Sequence, residues 1–154
     1  TTAHNEAERP LRSGLDVLPV LLESHRPLDW IVVMLGTNDL KKHFGPEAQQ
    51  IADNLRRICE VIAEHEHLQA HPPRILLCTP TAVNDASNEV PEWFEGATAV
   101  ARSLPALMET AAMECGALFT DTAALLQADF ADGLHWSEHQ HSIIGKAIAE
   151  KIKI

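Results

Sequence analysis

The sequence predicts an α/β protein with a parallel β-sheet, and three observations carry that prediction. Short apolar runs alternate along the chain with longer segments that have the apolar spacing of a helix. Two of the runs, 29–36 and 72–80, are continuous, which is typical of strands buried on both faces. Each run is followed by a helical segment, an order that indicates βαβ connections within one domain.

The first half of the chain supplies two helices and two strands of this pattern. The leucines of 13–25 recur on one helical face and predict a first helix, ahead of the strand at 29–36. The segment 45–67 predicts a second helix with a well-defined apolar stripe. Pro46 stands at its start, where a missing backbone N–H is tolerated. The prolines around 72–80 mark the limits of the second strand.

The second half completes the alternation. We expect a loop over 81–97, a helix over 98–116 with a kink near Pro105, and a third strand over 117–121. A brief helical turn is predicted over 122–130. The last helix is predicted over 137–152. A capping box marks its start, because the serine at position 137 is followed three residues later by a glutamine.

Composition and charge exclude several classes of partner. The chain has 154 residues, 45% of them hydrophobic, and a net charge of -10. This balance opposes binding to nucleic acid or to an anionic membrane surface. Neither a transmembrane run nor a signal peptide is visible, and the three cysteines have no CxxC spacing. We therefore expect reduced, structural thiols and a cytoplasmic location.

Polar residues follow directly after the first predicted strand, in the stretch "VVMLGTNDLK" at 32–41. Ligands of parallel sheets bind at the carboxyl ends of the strands, so an active site is one interpretation of these residues. Asn38 offers a side-chain NH₂ to a developing oxyanion, or bonds its own backbone in a turn. Gly36 allows close backbone approach or tolerates a positive φ, and Asp39 is expected to cap the turn that follows.

A second polar stretch, "DGLHW" at 132–136, follows the third predicted strand. Asp132 and His135 are three residues apart, a spacing at which a carboxylate in a tight turn reaches the imidazole. The carboxylate would then fix the tautomer of the ring and leave the other ring nitrogen free as a general base. The alternative is a turn-forming aspartate beside a surface histidine.

Aromatic residues and further histidines leave other interpretations open. Trp93 and Phe94 either line a substrate pocket or pack beneath their loop, and Trp136 is placed to form a wall of the site. A metal cluster is disfavoured, because no closed ligand set accompanies the histidines. The candidate metal ligands are His65, His67 and His71; His139 and His141; and, in a metal-dependent hydrolase, Asp39 with Asp132 and His135.

With these two motifs the chain resembles the SGNH hydrolases, the GDSL-type esterases and lipases, most closely their arylesterase and acyltransferase branch. The resemblance implies a three-layer α/β/α, flavodoxin-like domain over 1–154 and hydrolysis of small-molecule carboxylic esters without a metal or organic cofactor. It implies His135 as general base, Asp132 as its partner, Asn38 as oxyanion-hole donor and Gly36 as support of the same loop.

The chain departs from the family pattern at the nucleophile. Two residues of the family pattern are not found in this sequence: the serine of the GDS motif and the glycine of the family's second sequence block, which is another oxyanion donor. The stretch "TTAHN" at 1–5 resembles the sequence just after that second block. We expect the first strands, and the serine, to lie outside these residues, and the chain alone to be inactive. The strand at 30–35 would then need cover from an N-terminal segment or a second copy. The alternative is a non-catalytic binding or assembly module.

Overall fold

A computed structural model describes residues 1–65, 68–126 and 132–152. Helices and strands alternate in the order that the sequence predicts, and each element lies within its predicted segment or starts one residue before it. The strands are β1 (Trp30–Val33), β2 (Arg74–Cys78) and β3 (Leu118–Thr120); the helices are α1 (Gly14–His25), α2 (Ala48–Glu64), α3 (Ala97–Ala101), α4 (Leu104–Glu114) and α5 (Glu138–Lys151).

The three strands form one parallel sheet in the order β1-β2-β3. Val32 of β1 is paired with Leu76 of β2, which in turn is paired with Leu118 of β3. Strand order therefore follows chain order, with a helical crossover between each pair of neighbours. The predicted α/β class is confirmed, and the carboxyl ends of all three strands meet at one edge of the sheet.

The core lies between β2 and the helices that pack on it. Ile75 and Leu77 are buried on one face of β2, together with Ile58 of α2 and Met108 of α4. Leu76 points to the other face and is also buried. Both faces of β2 are thus covered, as its continuous apolar sequence predicts.

The predicted helix over 98–116 is divided into α3 and α4 at Arg102 and Ser103. Pro105 lies in the first turn of α4, where it needs no hydrogen-bond partner for its nitrogen. The capping box of α5 is confirmed: Ser137 accepts from the backbone N–H of Gln140, and the Gln140 side chain accepts from the backbone N–H of Ser137.

Strand β1 differs from its prediction as a strand buried on both faces. In the part of the chain that the structure describes, it pairs only with β2, and the side chain of Val32 is 40% exposed. A cavity of about 650 Å³ lies beside it, lined mainly by apolar side chains of α1 and β1, among them Leu18, Leu21 and Ile31. Val32 is exposed because β1 has no strand neighbour on its second side among the described residues. None of the helices described is both long and apolar enough to cross a lipid bilayer.

Candidate active site

The chain turns sharply after β1, and Gly36 makes that turn possible. Its φ is 129°, a backbone conformation that side-chain-bearing residues rarely adopt. A methyl group added there would lie 3.1 Å from Cγ of Pro80, at the end of the neighbouring strand. Both properties predicted for Gly36, close approach and positive φ, are therefore present. The 3₁₀ turn Thr37–Leu40 follows at once.

Asp39 is the buried anchor of this turn. The residue is 1% exposed, and both of its carboxylate oxygens accept from the backbone N–H of Thr2 at 2.9 Å. The Thr2 hydroxyl also donates to Asp39 Oδ1 at 2.6 Å and accepts from Asn54 Nδ2 of α2 at 3.2 Å. The prediction that Asp39 caps the following turn is wrong, because Thr2 occupies its carboxylate.

Asn38 stands on the same turn but points to solvent. It lines a cavity of about 310 Å³ together with side chains of the segment 1–12 and Lys41. Because its neighbour Asp39 is fixed in the interior, Asn38 is held at the carboxyl edge of the sheet on a short, constrained turn. Its role as oxyanion-hole donor stays a prediction.

Asp132 and His135 form the pair that their spacing predicts. Asp132 Oδ2 is 2.6 Å from His135 Nδ1, and Asp132 Oδ1 accepts from the backbone N–H groups of His135 and Leu134 at 2.8 and 2.9 Å. The hydrogen bond from the His135 backbone is the largest cause that holds the pKa of Asp132 well below its usual range. A charged carboxylate therefore faces Nδ1, and Nε2 is left for other chemistry.

Gly133, inside this turn, is a residue that the sequence did not single out. Its φ is 73°, and an added methyl group would lie 2.2 Å from Val90 Cγ2 and 3.0 Å from the carbonyl oxygen of Asn84. The carbonyl of Gly133 accepts from the backbone N–H of Asn84 at 3.0 Å. The loop at 81–97 thus packs against the turn that holds His135. A glycine between Asp132 and His135 is the feature of the sequence that could have indicated a tight turn at this position.

The aromatic residues divide between core and surface. Phe94 is 3% exposed and belongs to the hydrophobic core, which is the packing role that the sequence left open for it. Trp93 is half-exposed on the same loop. Trp136 makes an edge-on contact with His141 at 5.3 Å between ring centroids. A role for these side chains in a substrate pocket stays a prediction.

The metal-binding alternatives gain no support from the geometry. Over residues 1–65, 68–126 and 132–152, no three His, Cys, Asp or Glu side chains converge as a metal site would require. Asp39 is occupied by Thr2 and is not available to a metal shared with His135. His67 lies outside the described residues. The cysteines are free thiols, and burial raises the pKa of Cys78 to about 11.

Each polar stretch comes after the carboxyl end of a strand, one after β1 and the other after β3, and Gly133 of the second stretch contacts the loop that follows β2. Within the described residues, no hydrogen bond joins Asn38 to His135, and no serine hydroxyl bonds to the imidazole. The structure therefore shows the contact between Asp132 and His135, and a catalytic role for this pair stays a prediction. The direct approach of Asn38 to that pair stays a prediction.

A parallel sheet with an aspartate–histidine pair beyond its third strand is compatible with an α/β hydrolytic enzyme. Residues 1–143 match the model of the GDSL-like lipase/acylhydrolase family, and the chain belongs to that family. The chain is thus a member of a carboxylic ester hydrolase family. A comparison with curated proteins gave no match.

Solved structures of esterases resemble the chain over nearly its whole length. The carbohydrate acetylesterase Est24 from Sinorhizobium meliloti is 27% identical, with a TM-score of 0.88, over 99% of this chain and 73% of that one. An inhibitor-bound aryl esterase from M. smegmatis is 26% identical, with a TM-score of 0.87 and the same coverage. A putative arylesterase from Agrobacterium tumefaciens is 28% identical, with a TM-score of 0.83, over 99% of this chain and 74% of that one.

Proposed function

We propose that the protein hydrolyses small carboxylic esters by a serine mechanism with His135 as general base. The observation that carries the proposal is the 2.6 Å contact between Asp132 Oδ2 and His135 Nδ1, at the carboxyl edge of the sheet. Asp132 holds the imidazole in one tautomer and stabilises the imidazolium when it forms. Asn38 donates its side-chain N–H to the oxyanion, and no metal or organic cofactor takes part.

The steps follow from these roles. The serine hydroxyl attacks the ester carbonyl carbon while His135 Nε2 takes its proton, and the carbonyl oxygen becomes an oxyanion bound by Asn38. The C–O bond of the alcohol then breaks, and His135 returns the proton to the leaving oxygen. A water molecule, or a second alcohol in acyl transfer, attacks the acyl-enzyme with the same proton relay, which restores the serine.

We propose further that the attacking serine lies outside these 154 residues. The described serines have other partners or positions: Ser13 is buried at the start of α1, and Ser137 caps α5. Ser87 lies beside Gly133 but accepts from the backbone N–H of Glu89. The side chain of His135 is 82% exposed, so water screens it from Asp132, whereas a working triad is shielded.

The open edge of β1 is the place that we propose for the missing groups. Its backbone has no strand partner on the side away from β2, among the described residues. The adjoining cavity of about 650 Å³ is lined by apolar side chains such as Val32, Leu18 and Leu21. An apolar strand fills such a space with its side chains and satisfies the backbone at the same time. A second copy of the chain is the other candidate for this edge.

The competing function is that of a non-catalytic module, whose scaffold only binds or assembles. A fluorophosphonate probe and intact-mass analysis test this chain by itself. We expect no covalent adduct and no hydrolysis of aryl acetates. Acetyl esters are the first substrates to try because the similar protein Est24 is a carbohydrate acetylesterase. An adduct that survives in the Ser13→Ala and Ser87→Ala variants would still place a nucleophile within the chain and contradict the proposal.

The decisive experiment supplies the missing segment. The chain is co-expressed with a peptide made of an apolar strand followed by Gly-Asp-Ser, and a Gly-Asp-Ala peptide is the matched control. We expect esterase activity and a fluorophosphonate adduct on the serine peptide only. In the active complex, His135→Ala should lower kcat by about 10³–10⁴ and Asn38→Ala by about 10²–10³. A folded complex with bound peptide and no activity would favour the non-catalytic module.

A further inference from the structure

A small cavity beside Asn38 collects positive charge on a chain that is otherwise acidic. Its volume is about 310 Å³, and it is lined by Thr1, Glu6, Arg9, Arg12, Asn38 and Lys41. Three of these residues are cations, whereas the whole chain carries a net charge of -10. A local charge opposite in sign to that of the molecule draws a ligand of matching charge to this cavity.

One acidic side chain, Glu6, lies among the three cations of the lining, so positive charge is in excess there, and Arg9 also acts on the Glu6 carboxylate through space. The Lys41 ammonium forms an ion pair with Glu6, and this hydrogen bond is the largest cause that lowers the pKa of the carboxyl. The guanidinium groups of Arg9 and Arg12 form no ion pair and donate no hydrogen bond in the part of the chain that the structure describes. Asp16 of α1 does not line the cavity, and its carboxylate accepts from the Asn5 side chain at 2.6 Å.

The segment that carries the two arginines is held in place. Asn5 Oδ1 accepts from the backbone N–H groups of Arg12 and Ser13 at 2.7 and 3.0 Å. Leu11, between the arginines, has a φ of 61°, a strained left-handed conformation for a residue with a side chain. Such strain persists where the surroundings fix the backbone, and it is frequent at ligand sites. The side chains of Arg9 and Arg12 therefore extend from a backbone whose conformation is fixed.

The same segment is tied to the turn of Asn38. Thr2 binds Asp39, the residue after Asn38, through three contacts of 2.6 to 2.9 Å. The arginine-bearing segment and the proposed oxyanion donor thus form one unit. Because Asn38 lines this cavity, a substrate bound to its side chain would lie at the cavity.

We propose that this cavity binds an anionic group of the substrate, a carboxylate or another planar or tetrahedral oxyanion, through Arg9 and Arg12. The inference rests on the proposed ester hydrolysis and adds a substrate class to it: esters that carry a negative charge close to the reacting carbonyl. Arginine suits both kinds of oxyanion, because its fork of N–H donors binds two oxygens at once. A cavity of roughly 150 Å³ already accommodates benzene, so a benzoate-sized group fits the volume.

The test measures binding to this chain, in which the proposed lack of a nucleophile keeps the ester intact. 4-Acetoxybenzoate and its neutral isostere 4-acetoxybenzamide are titrated into isotope-labelled protein, and the NMR signals of the Asn38 side-chain amide are followed. We expect both esters to shift these signals and the anion to bind about tenfold more tightly at low salt. The advantage should disappear in 1 M salt, where screening acts within about 3 Å.

Variants assign the effect to the two arginines. Arg9→Gln/Arg12→Gln should reduce the preference for the anion to less than about twofold, with each single variant in between. Lys42→Gln is the matched control, because Lys42 is an exposed cation paired with Glu92 and Glu95 outside this cavity, and it should leave the preference unchanged. The thermal midpoint of each variant confirms that it is folded.

Three results would overturn the inference: equal affinity for the two esters, a preference that survives the double variant, or an anion that shifts the arginine signals but not Asn38. If the neutral ester still shifts Asn38 in such a case, the ester site stands and only the charge preference fails. If neither ester shifts Asn38, the proposed function fails with it. A third ester, 4-acetoxybenzenesulfonate, is titrated in the same way to compare the two kinds of oxyanion. If it binds more tightly than 4-acetoxybenzoate, the cavity prefers a sulfate-like group to a carboxylate.

Discussion

Two aspartates, one in the turn after β1 and the other in the turn beyond β3, have opposite surroundings. Asp39 lies in the interior, 1% exposed, and its carboxylate is occupied by the backbone and hydroxyl of Thr2. The Asp132 side chain is 45% exposed and makes its contacts within a single turn of four residues. The first aspartate joins distant parts of the chain, whereas the second only orients a neighbour.

The difference separates architecture from chemistry. A buried carboxylate is costly to leave without partners, so the contacts of Asp39 are contacts on which the fold depends. An exposed ion pair contributes little to stability, so the contact between Asp132 and His135 has to be explained by what it does to the imidazole. Mutations at the two aspartates should therefore affect different observables.

The largest loss of stability is expected for Asp39→Ala. The change leaves the N–H and hydroxyl of Thr2 without their acceptor in the interior, and the free energy of unfolding should fall by about 3 kcal/mol. Urea unfolding measures it. Asp132→Ala is the matched variant, and its loss should stay below about 1 kcal/mol because the group is exposed. Equal losses at the two sites would contradict the comparison.

Gly133→Ala tests the packing beneath the exposed pair. The positive φ and the approach of Val90 to 2.2 Å should together cost about 2 kcal/mol and displace His135 from Asp132. Urea unfolding and the histidine NMR signals report the two effects. Gly116→Ala is the control, since Gly116 has a φ of 68° with no atom within 4 Å of the added methyl group. A loss no larger than that of the control would show that Val90 moves aside freely.

Thr2→Val isolates the hydroxyl from the backbone contact. The shape of the side chain is kept, but the 2.6 Å bond to Asp39 and the 3.2 Å bond from Asn54 are lost, so we expect a loss of about 1.5 kcal/mol. Thr110→Val, whose exposed hydroxyl donates only to the carbonyl of Ala106 in its own helix, should stay within about 0.5 kcal/mol. A neutral Thr2→Val would mean that the backbone N–H alone holds Asp39.

The smallest effect is a pH dependence at Asp132. Because the folded protein lowers the pKa of this carboxyl, its contribution to stability is present above the unfolded value of about 3.9 and is lost as the pH falls through the folded value. Wild type should therefore exceed Asp132→Asn in stability at pH 6, by less than about 1 kcal/mol, and the gap should begin to narrow below about pH 4 and continue to narrow as the pH falls toward the folded value.

The measurement compares urea midpoints of the two proteins from pH 6 down to the acid limit of reversible unfolding. Asp29→Asn is the control for the loss of one negative charge, because the Asp29 side chain is exposed and makes no hydrogen bond or ion pair in the described residues. A gap that widens toward low pH would have the wrong sign and would reject the charged form of Asp132 as the stabilising one.

The sequence predicts the sheet and its helices well, because their signals are local. Apolar periodicity marks α2, continuous runs mark β1 and β2, and the capping box marks the start of α5. The pairing of Asp132 with His135 is also local, since three residues of turn suffice to form it. The sequence of β1 is typical of a central strand and does not indicate that β1 lies at the edge of the described sheet.

Contacts between distant segments explain what the sequence did not reveal. Asp39 meets Thr2 across 37 positions of sequence, and no periodicity links the two. Gly133 owes its importance to Val90, which approaches it from another loop. The cavity beside Asn38 likewise depends on how the segment 1–12 folds back onto the turn after β1.

Thr2 has no exposed surface, and its backbone N–H donates to Asp39 in the interior. A backbone amide held in this way exchanges its hydrogen with solvent only when that part of the structure opens. The exchange rate of the Thr2 amide, followed by NMR, therefore reports whether the turn that bears Asn38 is in place.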